Sequence, residues 1–300
     1  MEDNMRIGLL GTGPWAEAAH APALSGHPGL DFAGVWGRRP EAAAGLADRY
    51  GVRAYDDVDA LLADVDAVAL ALPPSVQAEL AVRAARAGRH LLLDKPLAAG
   101  VAAGRAVVEA AERARVASVV FFTTRFQKEP EAWIEEQAAT AGWFTAHGQW
   151  LGAVFTGDSP FANSPWRREK GALWDVGPHA LSLLLPVLGD VRQVAAAAHG
   201  PAGTVHLVLE HATGATSTLT LSLSAPPAAA GADLELRGES GTAVLPRSSE
   251  GAVPALARAA DALITAARTG RPHPCDAAFG LRVTEILASA ESRLTDPLPD

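Results

Sequence analysis

The stretch Met5 to Ala16, MRIGLLGTGPWA, constrains the fold more than any other part of the chain. Ile7, Leu9 and Leu10 make a short apolar strand directly in front of Gly11-Thr12-Gly13-Pro14-Trp15-Ala16, and the residues after it suit the start of a helix. Strand, glycine turn and helix in that order are what a dinucleotide-binding βαβ unit requires. Gly11 allows the tight turn, Gly13 lets backbone approach a pyrophosphate, and the small Ala16 lets the helix pack close to the strand. Pro14 fits the first helical turn, which has no use for its missing N–H. Gly11, Thr12, Gly13, Pro14 and Trp15 are therefore candidate contacts to a nucleotide, with the helix N-terminus as an anion site. A tight turn in an ordinary α/β protein is the alternative reading of the same residues.

A second apolar strand, Leu30 to Trp36, follows. Where a site that prefers NAD places an acid, about twenty residues beyond the glycines, this chain has Gly37-Arg38-Arg39. A guanidinium matches the geometry of a 2'-phosphate, so Arg38 and Arg39 favour NADP(H), with NAD as the alternative. Asp66 to Leu72 reads as a buried parallel strand that stops at Pro73-Pro74-Ser75. A helix from Val76 to Ala87 leads to the strand His90 to Leu93, which ends in Asp94-Lys95-Pro96. Both of these loops fall at the carboxyl ends of strands, where open α/β sheets bind ligands. Strand Ser118 to Phe122 completes an N-terminal domain, 1–122, and 123–300 forms the second. In that second part, strand-like stretches separated by Gly, Pro and Asp turns, such as HATGATS and RGESGTA, predict a largely antiparallel sheet.

Composition excludes several classes of function. A net charge of -9 leaves no basic footprint for nucleic acid, and no apolar window suits a membrane span. The one cysteine rules out an internal disulfide framework, and the polar N-terminus lacks the features of a signal peptide, so a cytoplasmic protein is expected. Lys95 is one of three lysines in an arginine-rich chain. At a strand end, restrained by Pro96, its ammonium would bond a substrate hydroxyl and a ribose and stabilise an oxygen that gains charge as hydride moves; a surface lysine in a turn is the alternative. Asp175 and His179 are four apart, on one face if that segment is helical, and would serve as a general base with its orienting carboxylate. A helix cap with a structural histidine is the competing reading. No third ligand with metal spacing accompanies them, so no metal is expected. Trp166 and Arg167, read as part of a loop from Phe155 to Arg168, would line a pocket for a hydroxylated or anionic ligand, with a solvated loop as the alternative reading. His20, His90, His147, His206 and His211 read as structural.

Taken together, GTGPWA with His20 downstream, LPPSVQ (72–77), AGRHLLLDKP (87–96), TRF (124–126), GALWDVGPHAL (171–181) and the closing GRPHPCDAAFGLRVTEIL resemble the Gfo/Idh/MocA family of oxidoreductases. The resemblance covers nearly the whole chain. It implies a Rossmann domain followed by an α/β domain with an open, mostly antiparallel sheet through which the chain would form a homodimer or homotetramer. A last helix, about 276–291, would return toward the first domain. It assigns Lys95 to the lysine of the family's EKP motif, with Asp94 in place of glutamate, and Asp175 and His179 to the second motif. Leu72, Pro73, Pro74, Gln77, Asp94, Lys95 and Pro96 then fall to the cofactor, and Lys95, Arg125, Trp166, Arg167, Asp175 and His179 to the substrate. Gln77 and Ser182 depart from the family's usual histidine and aspartate, which would remove polar contacts. The implied function is NAD(P)-dependent hydride transfer at a hydroxyl or carbonyl carbon of a sugar, polyol or related small molecule. A non-catalytic, nucleotide-sensing regulator or scaffold of the same fold is the alternative.

Overall fold

The computed structural model describes residues 4–295. By its internal contacts the chain forms two compact units: the chain up to Phe126 together with Glu250–Arg282, and Gln127–Ser249 together with the chain from Val283 onward.

The first unit is built on six parallel strands, β1 (Met5–Leu10), β2 (Leu30–Trp36), β3 (Arg53–Tyr55), β4 (Ala67–Leu70), β5 (His90–Asp94) and β6 (Ser118–Phe121). Their order is β3-β2-β1-β4-β5-β6. The chain reverses direction across the sheet between β1 and β4, so the ligand crevice of a doubly wound fold lies at their carboxyl ends. Helices α1 (Ala21–Gly26), α2 (Pro40–Tyr50), α3 (Val58–Asp64), α4 (Pro74–Arg86) and α5 (Val101–Ala114) make the crossovers. Ile7, Leu9, Leu10, all of β4 and Leu91 to Leu93 are fully buried, which is why these strands read as unbroken apolar runs rather than alternating ones.

The second unit contains α6 (Lys128–Ala139), β7 (Trp143–Leu151), α7 (Pro165–Asp175), α8 (Gly177–Leu188), β8 (Val191–His199), β9 (Val205–His211), β10 (Thr216–Ser222), β11 (Gly231–Gly238) and β12 (Gly241–Val244). Its sheet has the order β12-β11-β7-β10-β9-β8 and is antiparallel except where β10 runs parallel to β7. Alternation along β9 and β10 buries Leu207, Leu209, Leu219 and Leu221, while the other face carries His206, Val208 and Thr218. The expectation of a loop up to Arg168 is corrected here, because α7 already begins at Pro165 and places Trp166 and Arg167 in its first turn. Pro165 is suited to that helix start, a signal the loop reading passed over. The segment Pro165–Leu188 is long and apolar enough to cross a membrane by composition, yet 72% of its most apolar window is buried inside the protein and Gly171 breaks it. Its apolar character belongs to a core.

Two later helices follow, α9 (Ala252–Thr269) and α10 (Ala277–Thr295). The turn between them is fastened to β6: Val120 N–H donates to the Cys275 carbonyl at 2.7 Å, and Ala277 N–H donates to Ser118 Oγ at 3.0 Å. His273 Nδ1 accepts from Cys275 N–H at 3.0 Å and its ring stacks on Phe126 at 5.4 Å. Burial, with the Arg125 charge added, pushes the His273 pKa down to about 4. An unfolded histidine takes up its proton near pH 6.5, so between pH 6.5 and 4 the unfolded chain binds more protons and stability falls as pH falls. Thermal melts at pH 7 and pH 5 check this: the native protein loses up to about 3 kcal/mol across the whole window, less whatever the ring's partial exposure screens. His273→Asn, which keeps an acceptor for Cys275 N–H, is expected to show a smaller loss over the same pH step.

Candidate active site

The carboxyl edge of the first sheet collects most of the sequence candidates. Gly11 N–H donates to the Trp36 carbonyl at 2.8 Å, and Ala71 N–H to the Leu10 carbonyl at 2.9 Å, which draws the ends of β1, β2 and β4 together. Gly11 has φ +131°, and a Cβ there would sit 2.4 Å from the Ala71 carbonyl oxygen, so only glycine fits. A Cβ on Gly13 would meet nothing within 4 Å, and one on Gly37 would strike Thr12 at 2.6 Å. The turn thus keeps one open glycine facing solvent and one that lets the β2 end close against it. Glu17 N–H donates to the Gly13 carbonyl, so the helix starts at the turn itself, and residues Ala16–His20 then form a π-helical turn ahead of α1. Arg38 and Arg39 are exposed beyond β2. Leu72 and Pro73 lead from β4 into α4, whose first residue is Pro74. These features fit a dinucleotide, whose pyrophosphate needs an open backbone turn at a helix start.

Beside this turn, the Asp94-Lys95-Pro96 loop is held from beneath by Gln77. The Gln77 side chain is buried, and its Nε2 donates to the carbonyls of Asp94 at 2.7 Å, Pro96 at 3.1 Å and Leu97 at 3.2 Å. Its Oε1 accepts from Asp94 N–H at 2.9 Å. A single amide therefore satisfies several backbone groups of a loop that contains a cis Lys95–Pro96 bond. The Gln77 amide is thus spent on the loop. Asp94 Oδ1 accepts from Lys95 N–H at 2.8 Å, and Lys95 itself is half-buried at the end of β5. Arg125, in a short 3-10 turn after β6, has a buried Nε without a hydrogen-bond partner among the described residues.

The second unit holds the other candidates around α7 and α8. Gly171, at φ 64° and ψ −162°, lies in a region open essentially to glycine alone and bends α7 between Arg167 and Asp175. Arg167 Nε pairs with Asp175 Oδ2 at 2.9 Å, and the carboxylate is 5% exposed as a residue. The Arg167 guanidinium lies 4.6 Å from the ring centres of both Phe161 and Trp166. An arginine stacked in this way is fixed in one orientation, and it neutralises a carboxylate that would be costly to bury alone. His179 sits in the first turn of α8, partly exposed. Ser182 is fully buried and donates to the His179 carbonyl at 2.7 Å, so it serves its own helix. The spacing in the sequence pointed to Asp175 and His179 as a pair; the Arg167 to Asp175 ion pair had no sequence signal beyond proximity in the chain. Lys170 and Trp174 Nε1 both bond Glu291 at 3.0 Å, which secures this segment to α10 within the same unit.

The family models for the oxidoreductase family with an NAD-binding Rossmann fold, Gfo/Idh/MocA, and for the Gfo/Idh/MocA C-terminal domain match residues 5–122 and 147–244. Together they account for more than two thirds of the chain. The chain belongs to the Gfo/Idh/MocA family. Among its relatives is 4-carboxy-2-hydroxymuconate-6-semialdehyde dehydrogenase of Sphingobium sp., 29% identical over 73% of this chain and 72% of the relative. The structure of GenD2 from gentamicin A biosynthesis, in complex with NAD, has the same fold at TM-score 0.85, with 21% identity, 99% of this chain covered and 95% of that one. Levoglucosan dehydrogenase in complex with NADH and L-sorbose gives TM-score 0.83 and 21% identity, covering 97% of each chain. Membership of the Gfo/Idh/MocA family makes this a nicotinamide-dinucleotide oxidoreductase, and the glycine turn and carboxyl edge described above are the parts of the chain that fit that cofactor.

Proposed function

We propose that the protein transfers a hydride between a nicotinamide nucleotide and a carbon bearing a hydroxyl or carbonyl in a sugar, polyol or related small molecule. The observation that carries this reading is the Lys95 loop: a lysine at the carboxyl end of β5, clamped by the buried Gln77 amide, on the edge that also carries the glycine turn. When bound, the nicotinamide supplies or accepts the hydride. Lys95 steadies the substrate oxygen as it gains charge, His179 takes up or returns the hydroxyl proton, and Asp175, held by Arg167, orients the group it faces. Arg125 and Trp166 complete the substrate contacts. Names of relatives such as a semialdehyde dehydrogenase and a levoglucosan dehydrogenase lend support to a hydroxylated or carbonyl substrate. An absorbance assay of nicotinamide reduction and oxidation over polyols, aldoses and their oxidised forms tests it. Turnover with none of them would overturn the reading, and the regulator alternative would take its place.

The nucleotide proposed is NADP(H), because β2 ends in Gly37-Arg38-Arg39 with no acid to repel a 2'-phosphate. Arg38→Ala is expected to raise KM for NADP(H) by about tenfold and to leave KM for NAD(H) nearly unchanged, the loss of one exposed charged hydrogen bond. Initial rates with both nucleotides decide it, and a wild-type preference for NAD would reverse the assignment. The same proposal makes the protein a cytoplasmic homodimer or homotetramer that associates through the open sheet face with exposed Val208 and Val244. Its mass in solution by light scattering measures this.

A further inference from the structure

His20 is fully buried, yet neither of its ring nitrogens has a hydrogen-bond partner among the described residues. Leaving a polar ring buried and unbonded is costly, and leucine would fill such a place at no polar cost. The surroundings are apolar on one side, where the edge of Phe121 meets the ring with centroids 6.4 Å apart. On the other side stands one carboxylate, Asp94, whose Oδ2 lies 3.9 Å from His20 Nε2. That is ion-pair reach but longer than a hydrogen bond. The other oxygen of Asp94 already accepts from Lys95 N–H. His20 is also the last residue of the π-helical turn that follows the glycine turn, and such turns, rare elsewhere, recur at functional sites.

We propose that His20 is a positioning residue for Lys95 and acts through Asp94. Nε2–H of His20 donates to Asp94 Oδ2 in the working protein, after a closure of about one ångström from the present separation to hydrogen-bond distance. With one oxygen held by His20 and the other on Lys95 N–H, the Asp94 carboxylate cannot rotate, and the backbone that carries the Lys95 ammonium is fixed in one orientation. Gln77 secures the carbonyls of the same loop from beneath, while His20 links the loop to the helix that begins at the glycine turn. The inference rests on the reading of Lys95 as the residue that steadies the substrate oxygen. It gives a role to a histidine at a position where the fold by itself asks only for an apolar side chain.

The test uses the full chain labelled with ¹⁵N-histidine, with and without NADPH, in the wild type and in His20→Leu, His20→Gln and Asp94→Asn. A low-field imidazole N–H resonance is expected for His20, shifted upfield in Asp94→Asn; a His20 signal that Asp94→Asn leaves unchanged would overturn the proposal. In turnover, His20→Leu is expected to lower kcat by about tenfold with KM for nucleotide changed less than about threefold, and His20→Gln, which keeps a donor, to recover most of it. Adding His20→Leu to Asp94→Asn is expected to cost less than about twofold more, since the two residues act as one unit. Independent effects that multiply would instead mark His20 as a packing residue, contrary to the proposal. If the wild type turns over no substrate, the functional reading fails, and the resonance still decides whether His20 and Asp94 are bonded. Should His20→Leu fail to fold, the comparison of wild type, His20→Gln and Asp94→Asn carries the decision.

Discussion

Replacing Lys95 with alanine is expected to cut turnover by about 10²-fold or more while nucleotide affinity stays within about tenfold, because the ammonium acts most strongly where charge develops on the reacting oxygen. The expected split between kcat and binding follows from the construction of the site. The loop that carries Lys95 is held by main-chain bonds to Gln77 and by Asp94 Oδ1 on Lys95 N–H, none of which uses the lysine side chain. Truncation therefore removes the charge and leaves these bonds in place. Titration of NADPH fluorescence gives the affinity, and initial rates on the best substrate of the panel give the turnover. Near-normal rates for Lys95→Ala across that panel would remove Lys95 from the mechanism.

Gln77→Leu is expected to produce the largest loss of stability of any single change near the site. Leucine matches the buried volume but offers neither donor nor acceptor, so Asp94 N–H and the carbonyls of Asp94, Pro96 and Leu97 lose the partner that joins them. Each buried backbone group left unsatisfied costs about 1–3 kcal/mol before relaxation, and a total of about 3 kcal/mol is expected once water reaches the more exposed ones. Denaturant unfolding measures it. Turnover should fall together with stability, since the same bonds shape the Lys95 loop; Gln77→Glu, which keeps the acceptor for Asp94 N–H but sets a buried carboxylate against the carbonyls of Asp94, Pro96 and Leu97, should not restore the loop. A wild-type unfolding free energy for Gln77→Leu would show that the loop stands without its clamp.

The first sheet was legible in the sequence because its determinants are local. The continuous apolar runs at Ile7, Val68 and Leu91 mark strands covered on both faces, and Gly11 reports a backbone shape that no other residue adopts. The alternation along β9 and β10, with the turns between them, likewise announced the second sheet. Less legible was the start of α7. Trp166-Arg167-Arg168 has the look of a solvated loop, and its helical state depends on Pro165 and on the stacking of Arg167 between two aromatic rings.

The surroundings of Gln77 and His20 were not legible in the sequence. Gln77 read as a lost polar contact, and His20 as an unremarked core histidine. Each takes its meaning from a partner distant in the chain: Gln77 from the Asp94 to Leu97 backbone, His20 from the Asp94 carboxylate. Contacts of that kind leave no period and no spacing in the sequence.

The sequence by itself determined that Met5 to Ala16 folds as strand, glycine turn and helix, which follows from backbone sterics, and it marked Lys95, Asp175 and His179 as candidates by side-chain type and family resemblance. Only the tertiary structure decided what surrounds them: the Gln77 amide bonded to the Lys95 loop, the His20 ring 3.9 Å from Asp94, and Arg167 neutralising Asp175 across the bend at Gly171. The reason is that burial sets the cost of an unbonded polar atom, and burial is a property of the packed chain.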